Sequence, residues 1–144
     1  YLSLEALESK FGRRRRHGTR QFEIDSYLEY QGRKFSRTYD ANSYIRIQAA
    51  MDDMDLDESF GGLEAAFARY RSPALLVSFD TDWLFPPAEV EKVHRALQSN
   101  GVDAKHVALR TVSGHDAFLV DYRLITPPVP DFLVTIQRLA AHPA

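Results

Sequence analysis

Leu75 to Phe118 constrains the fold of this chain more than any other stretch. A continuous apolar run of strand length, Ala74 to Phe79, is what a strand covered on both faces requires. An acidic loop follows, Asp80-Thr81-Asp82-Trp83-Leu84-Phe85-Pro86-Pro87. Pro87 suits the first position of a helix. The apolar spacing of Val90, Val93, His94 and Leu97 then predicts a helix over Ala88 to Asn100, stopped by Gly101. Lys105 to Thr111 alternates enough to be a second strand, and it leads into Ser113-Gly114-His115-Asp116-Ala117-Phe118. Strand, helix, strand reads as a right-handed βαβ unit with parallel strands. The fold class is therefore α/β. In such a sheet the acidic loop and the histidine loop both lie at the carboxyl edge of the strands, where these folds place their chemistry.

The chemistry-bearing residues follow from that placement. His115, in a loop of small residues just past a strand, is a candidate general base. A carboxylate accepting from one imidazole nitrogen would fix the tautomer and stabilise the imidazolium. Asp80 and Asp82 both satisfy that role by position, and spacing alone leaves the choice open. Asp116 is placed to meet a cationic group on a substrate or to cap the backbone after the loop. The nucleophile is missing: no serine has the Gly-x-Ser-x-Gly surroundings of a nucleophile elbow, and there is no cysteine. Ser113, two residues before His115, is a poor substitute because one loop rarely presents both partners face to face. In α/β-hydrolase chain order the serine precedes the acid and the histidine, so a chain that begins after the serine would look like this one.

The rest of the chain is predominantly helical. Ser3 caps a predicted helix from Leu4 to Phe11, with Gly12 to end it. Arg13 to Arg20 is a basic run, read as a solvated loop in preference to a phosphate site. Residues 23–36 form a helical pattern on Ile24, Tyr27, Leu28 and Phe35, although Gly32 costs it about 1 kcal/mol relative to alanine. Asp40 caps Ala41 to Met51, whose apolar face is Tyr44, Ile45, Ile47 and Met51. The acidic stretch Asp52 to Glu58 lacks the mid-loop glycine and terminal glutamate of a calcium loop and reads as a linker. Leu63 to Tyr70 is a short helix ended by Ser72-Pro73. Pro127-Pro128-Val129-Pro130 is expected to be non-helical, leading to a last helix from Asp131 to Ala141 that packs Leu133, Ile136, Leu139 and Ala140 on the sheet.

Bulk properties exclude several classes. A net charge of −2 gives no pull toward nucleic acid or an anionic membrane. No apolar run approaches the roughly 18–20 residues needed to span a bilayer. The absence of cysteine rules out thiolate zinc sites and disulfides and is compatible with a reducing cytoplasm. No metal ligand and no cofactor is assigned from the sequence.

Four motifs in order carry a family resemblance: Phe22 to Phe35, Tyr39-Asp40-Ala41-Asn42-Ser43-Tyr44, Thr81-Asp82-Trp83-Leu84-Phe85-Pro86-Pro87, and Gly114-His115-Asp116-Ala117-Phe118-Leu119. Together they resemble homoserine O-acetyltransferase, an α/β-hydrolase-fold enzyme of methionine biosynthesis, over about Tyr1 to Val120. The resemblance implies the carboxy-terminal part of that fold, with residues 1–57 a helical lid and 58–144 the end of the α/β core. It implies Asp82 as triad acid, His115 as triad base and Asp116 on the amine of L-homoserine. It further implies acetyl-CoA as co-substrate, an acyl-serine intermediate, and a homodimer formed through the lid helices. Succinyl-CoA-using relatives often resemble Thr-Asp-Trp-Arg where this chain has Leu84. An arginine there pairs with a succinyl carboxylate and leucine does not, so the resemblance favours acetyl.

Overall fold

A computed structural model describes residues 1–141, apart from the side chains of Leu139 and Ala140. The amino-terminal third is helical: α1 (Leu4–Lys10), α2 (Glu23–Thr38) and α3 (Ala41–Asp52). Ser3 caps α1 by accepting from the Ala6 N–H at 2.9 Å, and Asp40 caps α3 by accepting from Ser43 N–H at 2.8 Å. Phe11 at the end of α1 meets Tyr27 of α2 with ring centroids 4.8 Å apart, a contact that joins the two helices. The basic run between them is a tight turn, closed by an isolated bridge between Arg15 and Phe22 and by an exposed Arg14–Glu23 ion pair at 3.0 Å. Such a surface pair contributes about 0–1 kcal/mol, so backbone pairing carries the turn.

The acidic stretch is not a linker throughout. Asp55 accepts from Asp57 and Glu58 N–H and starts α4 (Leu56–Phe60). Acids that read as linker composition here serve as cap and first-turn charge, both favourable at a helix amino terminus. Gly61, at φ 79°, ends α4 in the left-handed conformation that glycine adopts without penalty. The helix predicted for Leu63 to Tyr70 is shorter, α5 (Leu63–Ala66), followed by turns.

β1 (Ala74–Phe79), α6 (Pro87–Ser99) and β2 (Ala104–Leu109) form the βαβ unit. The strands are parallel, with Ala74 opposite Ala104 and Phe79 opposite Leu109. Pro87 occupies the first turn of α6, where its missing N–H has no intrahelical acceptor in any case. Leu97 from α6 packs with Val102 and Ala104, and Phe67, Ala74, Leu76 and Val93 close around them. Burying a side chain such as Leu97 stabilises the fold by roughly 1.5–3 kcal/mol, and this cluster is the hydrophobic core of the described residues. The register aligns the ends of both strands, so the loops after Phe79 and Leu109 emerge side by side.

Beyond β2 the chain turns through a 3₁₀ segment at Gly114–Asp116, then α7 (Ala117–Val120), a second 3₁₀ turn at Tyr122–Leu124, and α8 (Pro128–Ala141). Two expectations are corrected here. The proline run is helical from Pro128 onward, because prolines in a first turn remove N–H groups that lack an intrahelical partner. Leu133 is not packed on the sheet but 52% exposed. The expected packing of Leu139 and Ala140 lies outside the described side chains. The α/β class and the parallel βαβ unit stand as read. No helix among the described residues is long and apolar enough to cross a membrane.

Candidate active site

The two loops at the carboxyl edge of the strands are stitched together by side chains. Asp80 Oδ1 accepts from the Thr111 N–H at 2.9 Å, and the Asp80 N–H donates to the Leu109 carbonyl at 3.0 Å. Thr81 Oγ1 donates to the Thr111 carbonyl at 2.9 Å and accepts from the Gly114 N–H at 3.1 Å. Asp121 reaches back from beyond α7 and accepts from the hydroxyls of Ser113 and Thr111. Those two bonds, Ser113 foremost, hold its carboxyl below the usual aspartate range. The histidine loop is therefore held from both sides.

Asp82, not Asp80, meets His115. Its Oδ2 lies 2.9 Å from His115 Nδ1, while its Oδ1 accepts from the Leu84 and Phe85 N–H groups at 2.9 and 3.0 Å. Asp82 is buried, 6% exposed. Burial pushes its carboxyl up, but the Phe85 N–H, the His115 hydrogen bond and the Leu84 N–H together outweigh that and leave it below the ordinary range. An ionised carboxylate at Nδ1 makes that nitrogen the donor, so the lone pair of the neutral ring sits on Nε2. Among the described residues nothing hydrogen-bonds Nε2. The pair can thus accept a proton at Nε2 and stabilise the resulting imidazolium.

Aromatic rings fix the imidazole on three sides. Phe85, Tyr1 and Phe118 have centroids 5.2, 5.4 and 5.7 Å from it. His115 and Asp82 border a cleft of about 400 Å³ with mostly apolar walls, among them Val77, Phe85, Phe118 and Val129. Asp116, one residue on, is half-buried and borders a second cleft of about 710 Å³, with Tyr1, Tyr27, Gln31 and Trp83 across from it. The two clefts flank the loop that carries both residues. Ser113 directs its hydroxyl to Asp121 and is not aimed at His115.

Tyr1 to Ser3 were absent from the sequence-based site. The Tyr1 carbonyl accepts from the His115 N–H at 3.0 Å, and the Ser3 hydroxyl donates to the Val112 carbonyl. Gly114 makes this approach possible. It has φ +67°, and a Cβ there would lie 2.6 Å from both Tyr1 O and Ser3 N. Only the Gly-His pairing hinted at this, and its partner in the first three residues had no local signature.

Relatives match the sequence along most of the chain. A homoserine O-acetyltransferase of Natronomonas pharaonis is 40% identical over 149 residues, covering 93% of this chain and 37% of that protein. One from Geobacter sulfurreducens is 36% identical over 144 residues, covering 96% and 39%. The chain is a homologue of the homoserine O-acyltransferases over part of their length. A homoserine O-succinyltransferase of Leptothrix cholodnii is 44% identical over 129 residues, covering 84% of this chain and 34% of that protein, so both acyl donors occur among acyltransferase relatives of this chain. The chain spans little more than a third of the length of these relatives. No family model matches it. The parallel βαβ unit with its terminal helices agrees with the carboxy-terminal part of an α/β-hydrolase fold.

Proposed function

We propose that these 144 residues supply the acid–base half of an acyl-serine triad in a homoserine O-acetyltransferase of methionine biosynthesis. The observation that carries this reading is the His115 Nδ1–Asp82 Oδ2 contact at 2.9 Å, with Nε2 unengaged among the described residues, in a homologue of homoserine O-acyltransferases. The serine and its oxyanion donors come from sequence outside these residues. His115 Nε2 takes the serine proton as the hydroxyl attacks the thioester of acetyl-CoA, and Asp82 stabilises the imidazolium. The imidazolium then protonates the departing CoA thiolate. In the second half His115 deprotonates the hydroxyl of L-homoserine, which attacks the acyl-serine, and the proton returns to the serine as it leaves. Asp116, bordering the larger cleft, pairs with the ammonium of homoserine.

A second reading, transfer of succinyl, is favoured by the relative from Leptothrix cholodnii. Leu84 argues for acetyl, since an aliphatic side chain beside Asp82 gives a succinyl carboxylate no partner. The test is acyl transfer to L-homoserine by the native protein that carries this segment, read with acetyl-CoA and succinyl-CoA in turn. A higher kcat/KM with acetyl-CoA is expected. A preference for succinyl-CoA would select the second reading.

Residues 1–57 serve as the helical lid and 58–144 as the end of the core in this proposal, in a cytoplasmic enzyme. The lid also provides a homodimer contact. Every residue of α3 is exposed, including Tyr44, Ile45, Ile47 and Met51 at 50–64%. Phe35 and Tyr39 stack at 4.7 Å beside Tyr44 and extend that apolar surface. Contiguous patches above a few hundred Å² rarely stay bare on monomers. Sedimentation of the protein at micromolar concentration should show a dimer that Ile45→Asp with Ile47→Asp dissociates. A monomer before substitution would remove this part of the proposal.

A further inference from the structure

Away from Asp82 and His115, α6 and β2 bring together three side chains that nothing in the acyl-transfer reading uses. Glu91 and His94 are three residues apart on α6 and so share a face. His106 reaches them from β2. His106 Nδ1 is 2.9 Å from Glu91 Oε2, and His94 Nδ1 is 3.4 Å from the same oxygen. The three candidate ligand atoms lie within 4.8 Å of one another. The His106 and His94 side chains are only 10% and 16% exposed, whereas Glu91 is 36% exposed.

The outer nitrogens of both rings are already engaged. His94 Nε2 lies 3.1 Å from the Ala104 carbonyl, and His106 Nε2 lies 2.8 Å from Ser78 Oγ. A carbonyl only accepts, so His94 carries its proton on Nε2. The neutral ring then turns a lone pair on Nδ1 toward a carboxylate oxygen, which is repulsive unless a cation lies between them. For His106 the Ser78 hydroxyl accepts as readily as it donates, so its Nδ1 is equally able to present a lone pair. Ring N–H groups held by a carbonyl and a hydroxyl are the outer hydrogen bonds that orient metal-binding histidines. Arg95 Nε holds the other Glu91 oxygen at 3.0 Å and fixes the carboxylate plane.

We propose that Glu91, His94 and His106 form a binding site for a divalent transition-metal ion of the Zn²⁺ type. Two imidazoles and one carboxylate suit that class, in contrast to the all-oxygen sets of Ca²⁺ and Mg²⁺. With metal–ligand bonds of about 2.0–2.1 Å, a tetrahedron has edges of about 3.3–3.4 Å. The His94–Glu91 separation of 3.4 Å already matches such an edge. The His106–Glu91 contact of 2.9 Å opens by about half an ångström to match. Water fills the fourth position from the exposed side of Glu91. The bound ion ties α6 to β2 next to the Leu97–Val102–Ala104 core.

The experiment is a Co²⁺ titration of the purified, EDTA-treated native protein that carries this segment, followed by visible absorption. The expected result is a saturable tetrahedral-type spectrum at one equivalent, bleached by Zn²⁺. Binding should weaken at least about 10–100-fold in Glu91→Gln and in His94→Gln. Circular dichroism checks that both variants fold, and if His94→Gln does not, Glu91→Gln decides the outcome alone. Two results would overturn the site. One is no saturable spectrum, leaving a protonated His94 to bridge to the carboxylate. The other is a spectrum that Glu91→Gln leaves unchanged, which places the ion on other histidines.

Discussion

Replacing Asp82 by asparagine in the native protein is expected to lower acyl transfer about 10⁴-fold while leaving the fold intact. The side chains are nearly isosteric, and the amide oxygen still accepts from the Leu84 and Phe85 N–H groups that now meet Oδ1. The amide NH₂ then faces His115 Nδ1 where Oδ2 had been. An amide NH₂ only donates, so Nδ1 becomes the acceptor and the ring proton moves to Nε2. A ring protonated at Nε2 has no lone pair there for the serine. The loss should fall on kcat, since nothing that binds either substrate is removed. Asp80→Asn is the matched control. Asp80 faces the Thr111 N–H and, at 3.9 Å, the exposed Arg110, so its replacement should alter the rate by less than about tenfold. Comparable losses from the two substitutions would mean that the Asp82–His115 contact is not the working one.

Gly114→Ala is expected to destabilise the protein by about 2–4 kcal/mol. Two costs add. The residue sits at φ +67°, where a Cβ strains the backbone, and that Cβ would stand 2.6 Å from Tyr1 O and from Ser3 N. Backbone atoms cannot swing aside as a side-chain tip does, so Tyr1 to Ser3 must peel away from the histidine loop. That would break the 3.0 Å bond from the His115 N–H and remove Tyr1 from beside the imidazole. Gly18→Ala separates the terms: it has φ +72° with nothing within 4 Å of the added carbon. Strain alone costs about 1–2 kcal/mol there. Denaturant midpoints for the two variants measure the difference, and equal losses would show that the close approach of the amino-terminal segment contributes nothing.

Local sequence patterns carried the βαβ unit because its determinants are local. An apolar run between Pro73 and Asp80 makes β1, Pro87 starts α6, and apolar spacing with a following glycine ends it. The position of His115 after a strand was legible for the same reason. The choice between Asp80 and Asp82 was not, because both follow β1 and either spacing reaches the next loop. The family motif pointed to Asp82, and the geometry shows the physical reason: its Oδ1 is taken by the turn it starts, which aims Oδ2 at the imidazole. Contacts between distant segments were invisible. Tyr1 and Gly114 are joined by backbone proximity, for which the chain has no periodic signature. Glu91, His94 and His106 were hidden likewise, since His94 read as an inward helix position and His106 as one residue of an alternating strand. Two errors of composition were also physical. The acids around Asp55 have the composition of a linker and form a cap, and the prolines before Asp131 have the composition of a break and form a first turn.

The central claim is that His115 and Asp82 serve a serine outside these residues in acylating homoserine. It is tested most directly by measuring acyl transfer from acetyl-CoA to L-homoserine in the native protein and in its His115→Ala variant. Transfer by the native protein is expected, with a loss of about 10³-fold or more in the variant and folding preserved by circular dichroism. No transfer by the folded native protein with either acetyl-CoA or succinyl-CoA, or a variant within about tenfold of native, would contradict it.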